Sequence, residues 1–322
     1  MKRDLSIEFL RCLLMALIVF YHACVVFDSF HPDMLVTGCG ALTCFSTNCF
    51  AFISGWYGIR TTPSRIVRFL GLGLFFTLAF LAFGSGGVRY QLGWYGNAYL
   101  MLMLFAPIFN RSVESLADFR RVWFLLTGYM ILLWLPLEKM GMFLEVDGWK
   151  GPSVYTVFYM YATGLLLSRT DWAKGVRRSR VWAFVALIIS LSVVLSFVSH
   201  KYPGLELHVW AYNSPFMVSL AIGVFLLFRS VSMPRKIHLI SGFCAPSMFS
   251  VYLIHEGIGS SFFVPLMRHY ERIMYDNGLP GICCAISVAG LVFLSCLCCD
   301  LVRRLMFAIL KWVMAKNHWR FV

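Results

Sequence analysis

The first apolar stretch of the chain, residues 7–23 (IEFLRCLLMALIVFYHA), contains two ionisable residues whose spacing suits chemistry. Arg11 and His22 are eleven positions apart, which in an α-helix is three turns plus about 20°, so both side chains lie on one face. The helical rise separates them by roughly 16 Å along the axis. An arginine can bind an anion, and a neutral imidazole can accept a proton. The stripe therefore predicts an anion site at one end and a catalytic base at the other.

A purely structural role is the alternative for both residues. Arg11 lies one turn after Glu8 and can pair with it or extend to the membrane surface, and His22 can hydrogen-bond to a neighbouring helix. Ionisable residues are costly inside a membrane segment, and they are functional candidates by default. The functional interpretation is therefore preferred.

The composition is that of a membrane protein. Of the 322 residues 60% are hydrophobic and 13% are charged, whereas soluble domains have about 25% charged residues. Long apolar runs recur along the whole length without a large polar block, so residues 1–322 are predicted to form one integral membrane domain. No small-residue cleavage site follows the first run, which is expected to be a retained helix. The eleven cysteines lie mostly in apolar runs and are interpreted as small hydrophobic residues, and no metal is expected.

The apolar runs predict an all-α fold, a polytopic bundle of about ten transmembrane helices. These helices are expected at 7–27, 35–58, 66–84, 93–110, 121–138, 153–168, 181–200, 210–229, 243–262 and 280–301. The tail, 302–322, mixes apolar and basic residues and is predicted to be an amphipathic helix at the cytoplasmic interface.

The distribution of basic residues predicts the orientation. With the N-terminus inside, 21 of the 28 lysines and arginines fall in cytoplasmic segments and six in outer segments, and Arg11 in the membrane is the last. This asymmetry predicts that both termini are cytoplasmic and that the protein lies in the inner or plasma membrane of the cell. It also accounts for the net charge of +13 without a nucleic-acid partner, because the charges lie in short loops facing an anionic leaflet.

Arginines gather at the predicted cytoplasmic ends of the first three helices. The second helix ends in FISGWYGIR at Arg60, and the sequence SRIVR places Arg65 and Arg68 one turn apart at the start of the third. Together with Arg11 they can form a basic pocket for a polyphosphate, because guanidinium groups bind phosphate oxygens in pairs. Ordinary positive-inside charge is the alternative, particularly for Arg60.

Polar and aromatic residues collect at the predicted outer ends of later helices. They are Trp94 and Tyr95 in the fourth helix, Trp210, Tyr212 and Asn213 in the eighth, and His255 and Glu256 in the SVYLIHE segment of the ninth. An interfacial aromatic belt explains the tryptophans and tyrosines equally well. It does not explain an imidazole and a carboxylate at the depth of His22.

Four features, in this order along the chain, resemble the acyltransferase 3 family of integral membrane acyltransferases. They are R-x10-H at 11–22, FISG at 52–55, the Arg65-x-x-Arg68 pair and SVYLIHE at 250–256. The segments AYLMLMLFAPIFN at 98–110 and YNSPF at 212–216 are similar to the polysaccharide-modifying branch. The resemblance implies transfer of an acyl group, usually acetyl from acetyl-CoA, to a hydroxyl of an extracytoplasmic or lipid-linked glycan.

The resemblance also implies roles for single residues. His22 is expected to be catalytic, and Arg11, Arg65 and Arg68, with Arg60 beside them, are expected to bind CoA. Two departures are visible. Many relatives carry an extracytoplasmic esterase-like domain, for which this chain has no segment of that size, so a single-domain route is expected. Cys12 stands where glycine or alanine is common.

The residues themselves favour the same mechanism. CoA has a charged nucleotide end and a long pantetheine arm, and a gap of roughly 16 Å between Arg11 and His22 suits that arm. His22 is expected to act as general base, with Glu256 or His255 as its orienting partner, or as nucleophile through an acyl-imidazole. The acceptor is expected to enter past the outer residues, Trp94, Tyr95, Trp210, Tyr212 and Asn213.

Two other functions compete with this hypothesis. A transporter or flippase of a lipid-linked glycan would use the same basic pocket and aromatic mouth, with His22 as a proton relay. The sequence shows no pair of matching Gly/Pro-interrupted helices in two halves, which counts against it. A membrane acyltransferase acting on a lipid or a small molecule is the third possibility.

Overall fold

The protein is described by a computed structural model over residues 4–82, 92–134, 153–170, 176–201, 208–231 and 233–316. This part of the chain is helical and contains no strand, which confirms the predicted all-α fold. The helices up to residue 134 are α1 (Leu5–Asp28), α2 (Met34–Ala41), α3 (Phe45–Tyr57), α4 (Pro63–Ala82), α5 (Gly93–Ser112) and α6 (Leu116–Trp134). The later ones are α7 (Val154–Ser168), α8 (Arg178–Lys201), α9 (Pro215–Arg229), α10 (Arg235–Cys244), α11 (Met248–Tyr252), α12 (Ser260–Asp276) and α13 (Gly281–Lys316).

Six stretches of the described chain are long and apolar enough to cross a membrane, which confirms a polytopic membrane protein. They are Leu5–Asp28, Met34–Tyr57, Pro63–Ala82, Arg178–Val198, Arg235–Gly257 and Gly281–Met314. Two further helices, Val154–Ser168 and Pro215–Arg229, are apolar but shorter. The count of ten spans and the cytoplasmic termini stay predictions. The end of the predicted helix 121–138 lies outside the described residues, which stop at 134 in this region.

Two predicted helices have different boundaries because of local hydrogen bonding. The predicted helix 35–58 is divided into α2 and α3 by a turn in which the Thr43 hydroxyl donates to the carbonyl of Gly40. The predicted helix 210–229 begins only at Pro215, in the first turn of α9. The hydroxyl of Ser214 accepts the N–H of Phe216 and caps that helix.

The predicted ninth helix, 243–262, is wrong at both ends. The structure begins α10 at Arg235, continues through a 3-10 turn at Ala245–Ser247 and α11, and ends in a π turn at Leu253–Gly257. Pro246 lacks the N–H that an uninterrupted α-helix would use at this position. The sequence analysis also missed α12, because Arg268, Glu271 and Arg272 interrupt its apolar pattern.

The predicted boundary between the last span and a separate tail helix is also wrong. Helix α13 runs without a break through residue 301 to Lys316, because no glycine or proline lies between them. Its 36 residues extend about 54 Å, well beyond the hydrocarbon thickness of about 30 Å. Residues 317–322 of the predicted tail lie outside the described residues.

Helix α1 joins the two hydrophobic clusters of the bundle. Its first half contributes Leu10 and Leu14 to a cluster formed mainly with α3, α5, α7 and α9. Its second half contributes Val19 to a cluster formed mainly with α11, α12 and α13. The stripe with Arg11 and His22 is therefore carried by the helix that both clusters share.

Helices α3 and α7 approach each other more closely than side chains permit. A Cβ on Gly55 would overlap the backbone carbonyl of Tyr161, and a Cβ on Gly164 would overlap the carbonyl of Phe52. The glycine of the FISG segment is therefore a packing residue, as small residues at membrane helix interfaces commonly are.

Glu271 is a fully buried carboxyl on the amphipathic helix α12, which lies outside the six candidate spans. Neither of its oxygens has a hydrogen-bond partner among the described residues. Burial, and secondarily the charge of Asp28 at the end of α1, raise the pKa of Glu271 from 4.5 to about 8. The carboxyl is therefore mostly protonated at neutral pH, and α12 packs on its neighbours through a neutral side chain.

Replacing Gly164 by alanine is expected to destabilise the protein by about 1–3 kcal/mol, because the added methyl meets backbone that cannot yield. The measurement is the apparent Tm of the purified protein in detergent. Gly128→Ala on α6 is the control, because a methyl there meets nothing within 4 Å. Equal Tm values for the two variants would contradict the close α3–α7 contact.

The stability of the protein is expected to fall as the pH rises towards the pKa of Glu271. The folded state holds this proton more tightly than the unfolded chain, so the contribution is complete below about pH 4.5 and lost through about pH 8. The apparent Tm of the wild type should drop by several degrees from acidic to alkaline buffer, and Glu271→Gln should flatten this dependence. An unchanged slope in the variant would refute the assignment to Glu271.

Candidate functional site

His22 is the centre of a cluster of three ionisable side chains between α1 and the π turn. Its Nδ1 lies 3.1 Å from Nε2 of His255, and its Nε2 lies 3.4 Å from Oε2 of Glu256. His255 is almost fully buried, and the other two side chains are partly exposed. The structure thus brings together the three residues that the sequence analysis named as catalytic.

The partner of His255 determines which nitrogens of the cluster carry protons. Its Nδ1 lies 2.7 Å from the carbonyl oxygen of Val251, which can only accept, so Nδ1 carries the proton. In neutral His255, Nε2 then accepts a hydrogen bond from Nδ1–H of His22. The lone pair of neutral His22 therefore lies on Nε2, on the side of Glu256. This nitrogen is the one that can take a proton from a substrate.

The π turn at Leu253–Gly257 presents two successive residues, His255 and Glu256, to the same imidazole. Neighbouring residues of a regular α-helix point about 100° apart, and π turns are an irregularity that is frequent at functional sites. Gly259 lies directly behind the turn, where a Cβ would overlap the carbonyl of Ile254. The local backbone therefore requires a glycine at position 259.

Glu256 lies beside Trp94 at the start of α5. The indole N–H of Trp94, which can only donate, is near enough to act on the carboxyl of Glu256. The Trp94 ring in turn contacts the ring of Tyr212 edge to face, with 5.3 Å between the centroids. Two of the predicted outer aromatic residues thus lie beside the cluster around His22.

A single cavity of about 290 Å³ is lined by both Arg11 and His22. Between them its wall is mainly apolar and aromatic and includes Met15, Ile18, Phe69, Tyr99, Met248 and Phe249. Its volume is just below the usual range for ligand pockets, about 300–1,000 Å³. A space of this size holds a small ligand or one part of a larger ligand.

The four predicted arginines do not share one position. Arg11 lines the cavity and also pairs with Glu8 at 3.1 Å, so the structural alternative for this residue is present alongside its place at the cavity. Arg60, Arg65 and Arg68 are exposed and lie outside the cavity wall. The guanidinium of Arg65 donates to the carbonyl of Arg60 at 2.6 Å.

The turn that carries Arg60 is held by residues from α5 and α7. Gly58 ends α3 with φ 70°, a conformation that favours glycine. The N–H of Ile59 donates to the hydroxyl of Tyr161, which donates to Asn110, and the amide of Asn110 donates back to the carbonyl of Ile59. Sequence reasoning missed this positioning role, although Asn110 ends the AYLMLMLFAPIFN segment.

The predicted acceptor residues are divided by the structure. Trp94, Tyr95 and Tyr212 line the cavity, and the carbonyl of Tyr212 accepts a hydrogen bond from Asn48. Trp210 and Asn213 are not part of the cavity wall. Trp210 packs against the first hydrophobic cluster, and both amide atoms of the buried Asn213 lack a partner among the described residues.

Tyr252 is a further positioning residue that the sequence analysis did not single out. Its hydroxyl accepts the N–H of Tyr95 at 3.1 Å and so ties α11 to the start of α5. A Cβ on Gly93, which has φ 67°, would overlap this hydroxyl. The sequence could have identified Tyr252 by its spacing, because it precedes His255 by three residues and so lies on the same side of a helix.

The three side chains of the cluster around His22 also lie close enough together to share a metal ion. The ligand atoms of His22, His255 and Glu256 all lie within 4.8 Å of one another. Two imidazoles and a carboxylate are ligands that zinc accepts. An ion between them would replace the hydrogen bond from His22 to His255, so the hydrogen-bonded and metal-bound forms are mutually exclusive.

Comparison with family models matches residues 4–302 to the model of the acyltransferase 3 family, described as an acyltransferase domain. The matched region contains every candidate site residue. No curated protein and no solved structure matches the chain.

Removing the side chain of His255 is expected to change the tautomer of His22. In His255→Ala the Nδ1–H of His22 loses its acceptor, so the proton moves to Nε2, where Glu256 can accept it. The measurement is the 15N chemical shift of the His22 ring in labelled protein. His269→Ala on α12 removes an exposed histidine and serves as the control. An unchanged His22 tautomer in His255→Ala would refute the hydrogen-bond pattern.

Proposed function

Because the chain belongs to the acyltransferase 3 family and is a multi-pass membrane acyltransferase, we propose that it transfers an acyl group from cytoplasmic acyl-CoA to a glycan. The preferred acyl group is acetyl, and the acceptor is a hydroxyl of an extracytoplasmic or lipid-linked glycan. The excess of basic residues in alternate loops supports insertion in the inner or plasma membrane with cytoplasmic termini.

The observation that carries this proposal is the cavity that connects Arg11 to His22. CoA consists of an anionic nucleotide and a thin pantetheine arm that ends in the thioester. The cavity is too small for the whole molecule, but it suits the arm, with the nucleotide outside beyond Arg11. The helical distance of roughly 16 Å then brings the thioester carbonyl to the imidazole.

The hydrogen-bond pattern supports His22 as general base. Nε2 of His22 takes the proton of the acceptor hydroxyl while the oxygen attacks the thioester carbonyl. The new C–O bond forms, the C–S bond breaks, and the CoA thiolate receives the proton from the imidazolium. Glu256, 3.4 Å from Nε2, stabilises the imidazolium in the meantime, and His255 keeps the ring in the required tautomer.

The same nitrogen can act as a nucleophile and form an acyl-imidazole before the acceptor binds. Rapid quenching of the enzyme with labelled acetyl-CoA, without acceptor, separates the two routes. Labelled protein indicates the intermediate, and its absence supports direct transfer.

The aromatic residues near the cluster support a sugar as acceptor. Trp94 and Tyr212 lie beside Glu256 at the His22 end of the cavity, and their rings offer apolar faces with polar edges. A lipid or small-molecule acceptor remains the alternative within the same chemistry, and acceptor competition with soluble glycans distinguishes them.

His22→Ala is expected to abolish acetyl transfer, with a loss of roughly 10²–10⁴-fold or more in rate, because the base is removed. The assay follows labelled acetyl groups from acetyl-CoA into envelope polysaccharide and the mass increase of that polysaccharide. His269→Ala should retain the wild-type rate. Acetyl-CoA should raise the apparent Tm of both variants, since neither residue contacts the nucleotide.

Transfer by a folded His22→Ala variant at the wild-type rate would refute the catalytic role. A wild-type protein that is not stabilised by acetyl-CoA and does not acetylate any glycan would favour the transporter of a lipid-linked glycan.

A further inference from the structure

The end of α9 is fixed against the start of α1, on the side of the bundle where Arg11 lies. The hydroxyl of Ser6 donates to the carbonyl of Val231 at 2.7 Å, and the rings of Phe9 and Phe228 lie 6.1 Å apart between centroids. These contacts hold Arg229, the last residue of α9, close to the first turns of α1.

Tyr57 lies close to both Arg11 and Arg229, whose positive charges act on its hydroxyl. Arg229 is not part of the cavity wall, but it therefore lies near Arg11, which lines the cavity. The sequence analysis assigned no binding role to Arg229.

The guanidinium of Arg229 is held in place without being neutralised. Its central carbon lies over the Trp56 ring, 4.5 Å from the ring centroid, a cation–π contact that helps to hold the guanidinium in place. No described carboxylate lies within ion-pair distance of it. By contrast, the guanidinium of Arg11 forms an ion pair with Glu8, and that of Arg65 donates a hydrogen bond to the carbonyl of Arg60.

We infer that Arg229, held over Trp56, binds a phosphate of the acyl-CoA donor beside Arg11 at the entrance of the cavity. The inference rests on the proposed function and adds to it a donor-binding residue outside the predicted arginine set. A fixed, unneutralised guanidinium is the group best suited to bind a phosphate with two parallel hydrogen bonds. The pantetheine arm, which has no charge, then extends past Arg11 towards His22.

The test compares two donors that differ in their phosphates. Affinities of purified protein in detergent are measured for CoA and for pantetheine, and transfer rates for acetyl-CoA and acetyl-pantetheine. Arg229→Gln is expected to weaken CoA binding roughly tenfold or more and to leave pantetheine binding unchanged. Arg229→Lys, which keeps the charge but not the planar fork, should show a smaller loss.

Arg121→Gln is the matched control, because it removes another exposed arginine of the predicted cytoplasmic side without touching the cavity. Unchanged CoA affinity in Arg229→Gln overturns the inference, and so does an equal loss for CoA and pantetheine, which indicates a structural effect. If the variant loses CoA affinity selectively but the wild type transfers no acetyl group, the inference stands and the proposed function fails. If CoA does not bind the wild type, both are refuted.

Discussion

The hydrogen bond between Nδ1 of His22 and Nε2 of His255 is the interaction on which the rest of the site depends. It joins α1 to the π turn across 233 residues of sequence, and it leaves the reactive lone pair of His22 on the side of Glu256 and the cavity. The bond is possible because His255 donates its Nδ1–H to the carbonyl of Val251, which leaves Nε2 as the acceptor for His22. The local irregularity of the π turn is therefore part of the chemistry, as such turns often are.

Helix α1 sets the distance between Arg11 and His22. A helix is a rigid spacer of 1.5 Å per residue, so the eleven positions from Arg11 to His22 define a length that side-chain motion changes little. Both hydrophobic clusters use this helix, which prevents it from shifting relative to α3 or to the π turn. The separation of Arg11 and His22 thus follows from packing over most of the bundle.

Residue spacing and apolar runs were sufficient to predict an all-α membrane fold and the three residues that meet at His22, but not several helix boundaries, helix α12 or the wall of the cavity. The apolar run predicts α1. The predicted depths of His22, His255 and Glu256 in the membrane indicate that these three residues lie at the same level. The exposure of Arg65 and Arg68, the exclusion of Asn213 from the cavity and the cation–π contact of Arg229 with Trp56 depend on contacts between distant helices. Helix α12 was missed in part because Glu271 counts as a charged residue in the sequence pattern. In the structure its buried carboxyl is mostly protonated and therefore neutral.

The FISG segment links the packing of α3 against α7 to the position of the turn at Ile59. Gly55 of the FISG segment allows the backbone of α7 to approach at Tyr161, and the hydroxyl of the same tyrosine holds the turn at Ile59 that precedes the exposed arginines. A side chain at Gly55 would displace the tyrosine from that turn as well as separate the two helices. The FISG segment therefore acts through packing, and its effect reaches the turn before the exposed arginines through the hydrogen bond from Ile59 to Tyr161.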